Sequence, residues 1–220
     1  MPTCFYHVDA FTSRPFSGNP AVVCPLHAPA DPSWMQQVAS EMNVSETAFL
    51  HPLSDGDGRD FHLRWFTPTT EVELCGHATL ASAHVLWEQG LVPMDDDIRF
   101  QTASGLLTVT NDDGLYTMDF PAEPAEESEV PLALGVSLGV TPTWVGRNRL
   151  DYVAELASDD TVRRLTSALQ ALMEVPGRGV IVTAPSSDPA FDYVCRVFGP
   201  KVGIPEDPVT GSAQCTLGPY

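Results

Sequence analysis

The sequence predicts a mixed α/β (α+β) chain of two duplicated, pseudo-symmetric domains, each a curved, mostly antiparallel sheet or barrel around a central helix. Three observations lead there. Short apolar runs with period-two alternation, separated by turn formers, read as strands. The segment Cys75 to Gly90 is small and apolar on nearly every side, so a helix there must be buried all round, which requires a sheet wrapped about it. The pattern of the first half also returns in the second: Arg64-Trp-Phe-Thr-Pro68 reappears as Arg196-Val-Phe-Gly-Pro200, 132 residues on. A repeat of that length means a duplicated domain rather than a solenoid.

Residues 4–11 and 20–26 are the first two strands, and Ser13 to Pro20 between them is rich in turn formers and reads as a loop. Asp31 is a good N-cap, Pro32 suits the first helical position, and Trp34, Met35, Val38, Ala39 and Met42 form one apolar stripe. Strands follow at 44–51 and at 60–67, where Phe61, Leu63 and Trp65 alternate with His62, Arg64 and Phe66. The buried helix ends at Gly90. Strands at 98–103, 106–111 and 115–120 come after it, the last two joined by the turn Asn111-Asp-Asp-Gly114. The acidic, Pro-rich stretch 122–131 is read as a linker, with a surface loop inside one domain as the alternative. At the same offset the strand at 20–26 falls on 152–158 and the strand at Phe61 on Tyr193. The first helix falls within Ser158–Leu172, which has its own Ser cap and a stripe at Val162, Leu165, Leu169 and Leu172. Domain one is thus 1–121 and domain two 132–220.

Composition excludes several functions. With 11 Lys+Arg against 29 Asp+Glu the formal charge is −18, too acidic for a nucleic-acid backbone or an anionic membrane as partner. Apolar residues at 43% supply real cores. No apolar run reaches membrane-spanning length, and the start lacks the features of a signal peptide, so a cytoplasmic protein is expected. The five cysteines (Cys4, Cys24, Cys75, Cys195, Cys215) lack C-x-x-C spacing and read as buried thiols or one catalytic thiol.

Two segments could carry chemistry. Cys75 lies 11 residues after Arg64 and Asp207 lies 11 after Arg196. Each leads into a glycine-containing turn, at Gly76 and Gly211, and then into a helix. Helix N-termini offer free N–H groups and positive partial charge, so two such turns facing one cleft would grip a carboxylate. Alternatively, the glycines only let helix and sheet pack closely. Ionisable or hydroxyl side chains near these turns are Glu46, Cys75, His77, Asp207 and Ser212. Glu46 opens an apolar strand, where desolvation would raise its pKa toward that of a useful general base; a capping or surface Glu is the alternative. His77 and His84 share a helix face, yet no carboxylate or cysteine completes a metal set with them at recognised spacing, so neither metal nor cofactor is expected. G-x-S-x-G, P-loop and G-x-G-x-x-G patterns are absent.

These residues resemble the phenazine-biosynthesis isomerase-like (PhzF-like) family, within the diaminopimelate epimerase fold. The matching stretches run in order along the chain: Val8–Val23, Ser45-Glu-Thr-Ala-Phe49, Arg64–Thr79, Ser104-Gly-Leu-Leu-Thr108, Phe191–Pro200 and Gly203–Ala213. The runs Cys75-Gly-His-Ala-Thr79 and Glu206-Asp-Pro-Val-Thr-Gly-Ser-Ala213 are the most specific. The resemblance implies two similar α/β domains with the site in their cleft. It also implies cofactor-independent proton transfer on a small carboxylate-bearing molecule, of the dihydro-hydroxyanthranilate type. Glu46 matches the proton-shuttling glutamate, and His77, Asp207 and Ser212 match the other polar site residues. Asn19, Gly76 and Gly211 match substrate-binding positions, and a homodimer is a family expectation.

Two other functions compete with the isomerase: a racemase or epimerase using Cys75, which needs a second thiol where the offset puts Asp207 or Pro208, and a non-catalytic binding protein that kept the fold. The repeat also places the end of domain two near residue 253, so the sequence is expected to be a partial one, lacking about 30–40 residues.

Overall fold

The computed structural model describes residues 3–14, 16–53 and 57–220; Pro15, read as part of the first loop, lies outside them. In the first unit, Met1–Pro121 with Val209–Ser212, the alternating runs become strands β1 (Tyr6–Ala10) and β2 (Asn19–Pro25). Helix α1 (Pro32–Met42) follows, capped by Asp31, whose carboxylate accepts the Ser33 N–H at 2.8 Å. It ends where Asn43 turns left-handed. The connection through α1 lets β3 (Glu46–Pro52) pair parallel to β2. Then come β4 (Asp60–Phe66) and β5 (Glu71–Val72), helix α2 (Gly76–Glu88), and β6 (Ile98–Thr102), β7 (Gly105–Asp112) and β8 (Leu115–Asp119).

The strands form one sheet in the order β1-β2-β3-β4-β6-β7-β8, with β5 on β4. The sheet curls about α2, which packs on β1, β2 and β3 and buries ten of its residues. Phe61, Leu63 and Trp65 lie inside, as the alternation predicts. Phe66, on the opposite face, is buried too, because α1 covers that side with Met35 and Ala39.

The second unit, Ala122–Pro208 with Ala213–Tyr220, holds β9 (Glu126–Glu127), α3 (Leu132–Leu138), β10 (Trp144–Arg147), β11 (Asp151–Glu155), α4 (Asp159–Arg164), α5 (Leu169–Leu172), β12 (Gly179–Pro185), β13 (Tyr193–Gly199) and β14 (Ile204–Asp207). The last helix, α6, spans Gly211–Leu217. Strand β9 falls within the stretch read as linker and pairs with β10. The sheet order is β14-β13-β12-β11-β10-β9, over a core that includes Leu134, Leu138, Val162, Val180 and Phe198. Pairing senses repeat those of the first unit: antiparallel for β10–β11, parallel for β11–β12, antiparallel for β12–β13 and β13–β14. In β1 to β5 the same succession runs antiparallel, parallel, antiparallel, antiparallel.

The repeated Arg-x-Phe signal proves to be a side-chain clamp made twice. Arg64 donates two 2.7 Å hydrogen bonds to Glu71 and lies 5.2 Å over the Phe66 ring. Arg196 donates to Glu206 at 2.7 and 2.8 Å and lies 5.1 Å over Phe198.

Two expectations are corrected. The single helix read over Ser158–Leu172 is two short ones, because Leu165 leaves the helical region at ψ 125°. The Arg196 guanidinium takes the carbonyls of Val162 and Leu165 at 3.2 and 2.6 Å, satisfying the acceptors that a continuing helix would have used. The constant offset also slips. A single 3-10 turn at Pro200–Val202 adds three residues after β13, so Glu206 rather than residue 203 answers Glu71. Asp207, facing Val197 as Val72 faces Trp65, answers Val72 and not Cys75.

Leu63, fully buried beneath the first sheet, is expected to cost about 2–5 kcal/mol on truncation to Ala. Leu132→Ala, at a side chain 85% exposed, is expected to stay within about 0.5 kcal/mol. Urea unfolding midpoints check both.

Candidate active site

Glu46 is the first residue of β3, paired with Ala21 at the second position after Asn19 on the parallel neighbour β2. His77 is the second residue of α2, next to the N-cap Cys75. Because α2 packs against the starts of these strands, three polar side chains from separate parts of the sequence meet in a dry place: Asn19, Glu46 and His77 are all buried.

The contacts are specific. His77 Nε2 stands 3.2 Å from Glu46 Oε2, close but outside hydrogen-bond alignment. His77 Nδ1 stands 3.2 Å from Asn19 Nδ2 and 3.6 Å from Cys75 Sγ. Asn19 Nδ2 donates to the Val209 carbonyl at 2.9 Å, and Ser45 Oγ donates to Asn19 Oδ1 at 3.1 Å. Burial pushes the His77 imidazole down to about 4, with the Pro20 carbonyl pulling the other way, so it is neutral at pH 7. The Cys24 thiol, also buried, is pushed up to about 12 and is inert.

Of the residues expected to form the site, Asn19, Glu46, Gly76 and His77 lie together in the first unit, where Ser45, absent from that expectation, joins them. Gly211 belongs there as well: a Cβ on Gly76 would meet Gly211 Cα at 2.8 Å, and the reverse holds equally. The close-packing reason for these glycines is therefore real. Ser212 is buried and counts with the same unit. Asp207 ends β14 in the second unit. Ser45 was legible only as a neighbour of Glu46, since its value lies in reaching a side chain 26 positions away.

The expectation that nothing completes a ligand set with His77 is also corrected. Ligand-type atoms of Glu46, Cys75 and His77 lie within 4.8 Å of one another. The thiol approaches Nδ1 and the carboxylate approaches Nε2. One nitrogen of the imidazole thus has both the thiol sulfur and a carboxylate oxygen within 4.8 Å, a donor set of the kind that could hold an ion. His84, the other histidine considered for metal, is bonded to the Tyr116 hydroxyl at 3.1 Å.

The duplication allows the corresponding positions of the second unit to be read. Phe66 faces Thr47 and Phe198 faces Val180, so Gly179 answers Glu46 and Arg178 answers Ser45. Asp151, paired with Gly179 as Ala21 is paired with Glu46, answers Ala21. Helix starts at Gly76 and Gly211 make Ser212 answer His77 and Thr210 answer Cys75. Where the first unit has Ala21 and Ser45, the second has an ion pair, Arg178 donating to the buried Asp151 at 3.0 and 2.5 Å. A Cβ at Gly179 would lie 2.6 Å from the Phe198 carbonyl oxygen, so no side chain fits opposite Glu46's place.

A family profile described as "Phenazine biosynthesis-like protein" (PhzC-PhzF) matches residues 8–220. A protein named as an uncharacterized isomerase from Halalkalibacterium halodurans is 51% identical over all of this chain and 82% of its own length. A human phenazine biosynthesis-like domain-containing protein is 37% identical, with 100% of this chain and 83% of its own covered. The crystal structure of an Enterococcus faecalis PhzF-family protein superposes with a TM-score of 0.85 at 40% identity, covering 100% of this chain and 82% of that one. A probable proline racemase from Agrobacterium radiobacter, 14% identical with a TM-score of 0.57 over 86% of this chain and 69% of its own, shares the fold.

Two outcomes follow from the burial of this site. An unfolded His77 titrates near 6.5 and the folded one near 4, so between those values the unfolded state binds more protons. His77 thus makes stability fall as the pH drops below about 6.5, by about 2 kcal/mol at pH 5. His77→Gln is expected to flatten that slope in urea titrations at pH 7 and pH 5. Gly76→Ala, whose methyl would meet backbone 2.8 Å away, is expected to lower stability by about 1–3 kcal/mol, read by thermal unfolding.

Proposed function

The chain belongs to the phenazine biosynthesis-like PhzC-PhzF family and, with relatives named isomerases, is itself an isomerase; we propose that it moves a proton between carbons of a small carboxylate-bearing substrate, with Glu46 as both base and acid. The observation that carries this reading is the buried approach of Glu46 Oε2 to His77 Nε2, 3.2 Å apart. Shifting a double bond needs one group to take a proton from one carbon and return it to another, and a carboxyl group does both when its pKa is near neutral. Glu46 as carboxylate removes the proton and the electron pair left behind delocalises through the unsaturated acid. The protonated Glu46, whose acid hydrogen exchanges with water between the two steps, then delivers a proton elsewhere on the framework, which leaves the enzyme unchanged and needs no redox partner. Neutral His77, 3.2 Å from the carboxylate, adds no positive charge that would hold Glu46 in its ionised form.

The substrate class proposed is of the dihydro-hydroxyanthranilate type. Its carboxylate would be held at the Gly76 and Gly211 turns, and Asp207 and Ser212 would engage its amine or hydroxyl. The family motifs at Cys75–Thr79 and Glu206–Ala213 support those assignments. A cysteine racemase reading would have Cys75 act against a second thiol. Thr210 stands at the corresponding position, and Cys215 lies four residues into α6, buried, with its thiol pushed up by burial. These facts favour the single carboxylate base.

Glu46→Gln is expected to lower solvent-deuterium exchange into a dihydro-hydroxyanthranilate by at least about 100-fold while the affinity for that acid changes little. Cys75→Ser is expected to retain most of the exchange. Exchange that survives in Glu46→Gln and disappears in Cys75→Ser would sink the carboxylate assignment. Mass spectrometry of the recovered acid and calorimetric titration supply the two readings.

A further inference from the structure

We infer that Asn19 and Ser45 are positioning residues that fix His77 as its Nε2–H tautomer, protonated at the ring nitrogen nearer Glu46. The inference deepens the proposed function and rests on it for its catalytic meaning, though not for its structural content.

The argument begins at Val209. A backbone carbonyl can only accept, so the end of the Asn19 amide facing it at 2.9 Å must be the nitrogen. Reversing the amide would set two oxygens against each other at hydrogen-bond distance. The amide oxygen then faces Ser45, whose hydroxyl donates to it at 3.1 Å and so reinforces the same orientation. With the amide fixed, its nitrogen also stands 3.2 Å from His77 Nδ1. An amide nitrogen has two hydrogens and no lone pair to offer, so Nδ1 must supply the lone pair. A neutral imidazole that accepts at Nδ1 carries its proton at Nε2, the nitrogen 3.2 Å from Glu46 Oε2.

Local sequence gives each partner its place. Asn19 begins β2, Ser45 immediately precedes β3, and these strands pair in parallel, so their starts lie side by side. Asn19 is fully buried, and its side chain therefore cannot turn to water for a different set of partners. Were the tautomer reversed, Asn19 Nδ2 and a proton on Nδ1 would both be donors and would repel, and Nε2 would turn a lone pair toward the Glu46 carboxylate. That arrangement would push apart the two groups whose proximity the proposed chemistry uses. Asn19 acts through His77, and Ser45 acts through Asn19.

The test reads the tautomer directly. In protein labelled with 15N at histidine, two-bond proton–nitrogen correlation spectra at pH 7 distinguish a protonated from an unprotonated ring nitrogen, with His77→Gln assigning the signals. The unmodified protein is expected to show His77 protonated at Nε2 alone. Asn19→Asp, nearly identical in shape, replaces the amide donor with an acceptor and is expected to place a proton on Nδ1. Ser45→Ala removes the brace on the amide and is expected to broaden or mix the two tautomer signals, with Ser45→Thr restoring the original pattern. A merely structural role for either residue would alter thermal stability and leave the tautomer alone. A proton on Nδ1 in the unmodified protein, or an unchanged His77 spectrum in both Asn19→Asp and Ser45→Ala, would overturn the inference. Because these spectra need no substrate, the tautomer result stands apart from deuterium exchange in Glu46→Gln. Loss of the carboxylate assignment there would leave the positioning geometry standing, and the reverse holds too.

Discussion

Everything in the first unit depends on the burial of α2 on all sides. A helix usually turns one stripe to the core and another to water, and its polar residues sit on the wet side. Here Ala78, Thr79, Ala81, Ser82, Ala83 and Leu86 all lie inside, so the hydroxyls must find partners within the helix itself. Thr79 donates to the Cys75 carbonyl at 2.5 Å and Ser82 to the Ala78 carbonyl at 2.7 Å. The small residues let β1, β2 and β3 approach closely, and that approach brings the start of α2 against the starts of β2 and β3. Once Gly76 and His77 are held there, His77 cannot be hydrated. Its polar edge is met instead by Asn19 and Glu46, side chains that the strands deliver to the same depth.

The Arg-x-Phe clamps show how the sheets keep their register at the ends where those side chains must be placed. Each guanidinium grips a glutamate on the neighbouring short strand with two parallel hydrogen bonds and lies over a phenyl ring two residues along its own strand. An isolated surface ion pair contributes little to stability. A planar, two-bonded fork has a directional value that a point charge lacks, because it fixes how one strand sits beside the next. Arg196 has a further task, closing the carbonyls where α4 ends. That task explains why a continuous apolar stripe from Val162 to Leu172 did not become one helix.

Much of this was legible in the sequence, for a definite reason. Period-two alternation, the Asp31-Pro32 helix start and the all-apolar segment after Cys75 are local signals, and each became the element it indicated. The repeat carried the architecture, since Arg64 and Arg196 mark the same strand twice. Strands β10 and β12 and helix α3 escaped that reading. Val180–Ala184 is a continuous apolar run buried throughout, and such a run has no periodicity to announce it. The three-residue slip after β13 was hidden for another reason: a 3-10 turn changes spacing without changing composition. Glu46 and His77 could be picked out by residue type and motif. Ser45 could not, because its contribution is a single hydrogen bond across 26 residues to the Asn19 amide.

The duplicated halves have not kept equivalent chemistry, and the difference is physically one-sided. At the positions corresponding to Ala21 and Ser45 the second unit has Asp151 and Arg178, a buried carboxylate with its guanidinium in two-point contact. A buried carboxylate left unpaired would be costly, so an Asp in the place of Ala21 has to travel with an Arg in the place of Ser45. The first unit carries no such obligation: Ser45 donates to the neutral Asn19 amide, whose nitrogen stands 3.2 Å from the imidazole. Gly179, in the place of Glu46, faces the Phe198 carbonyl so closely that even a methyl group is excluded. A two-thiol mechanism needs a cysteine from each half, and at the place of Cys75 the second half has Thr210. The two halves of a fold shared with a racemase thus differ in what they bury at matching positions: a carboxylate beside an imidazole in the first, an ion pair and a glycine in the second.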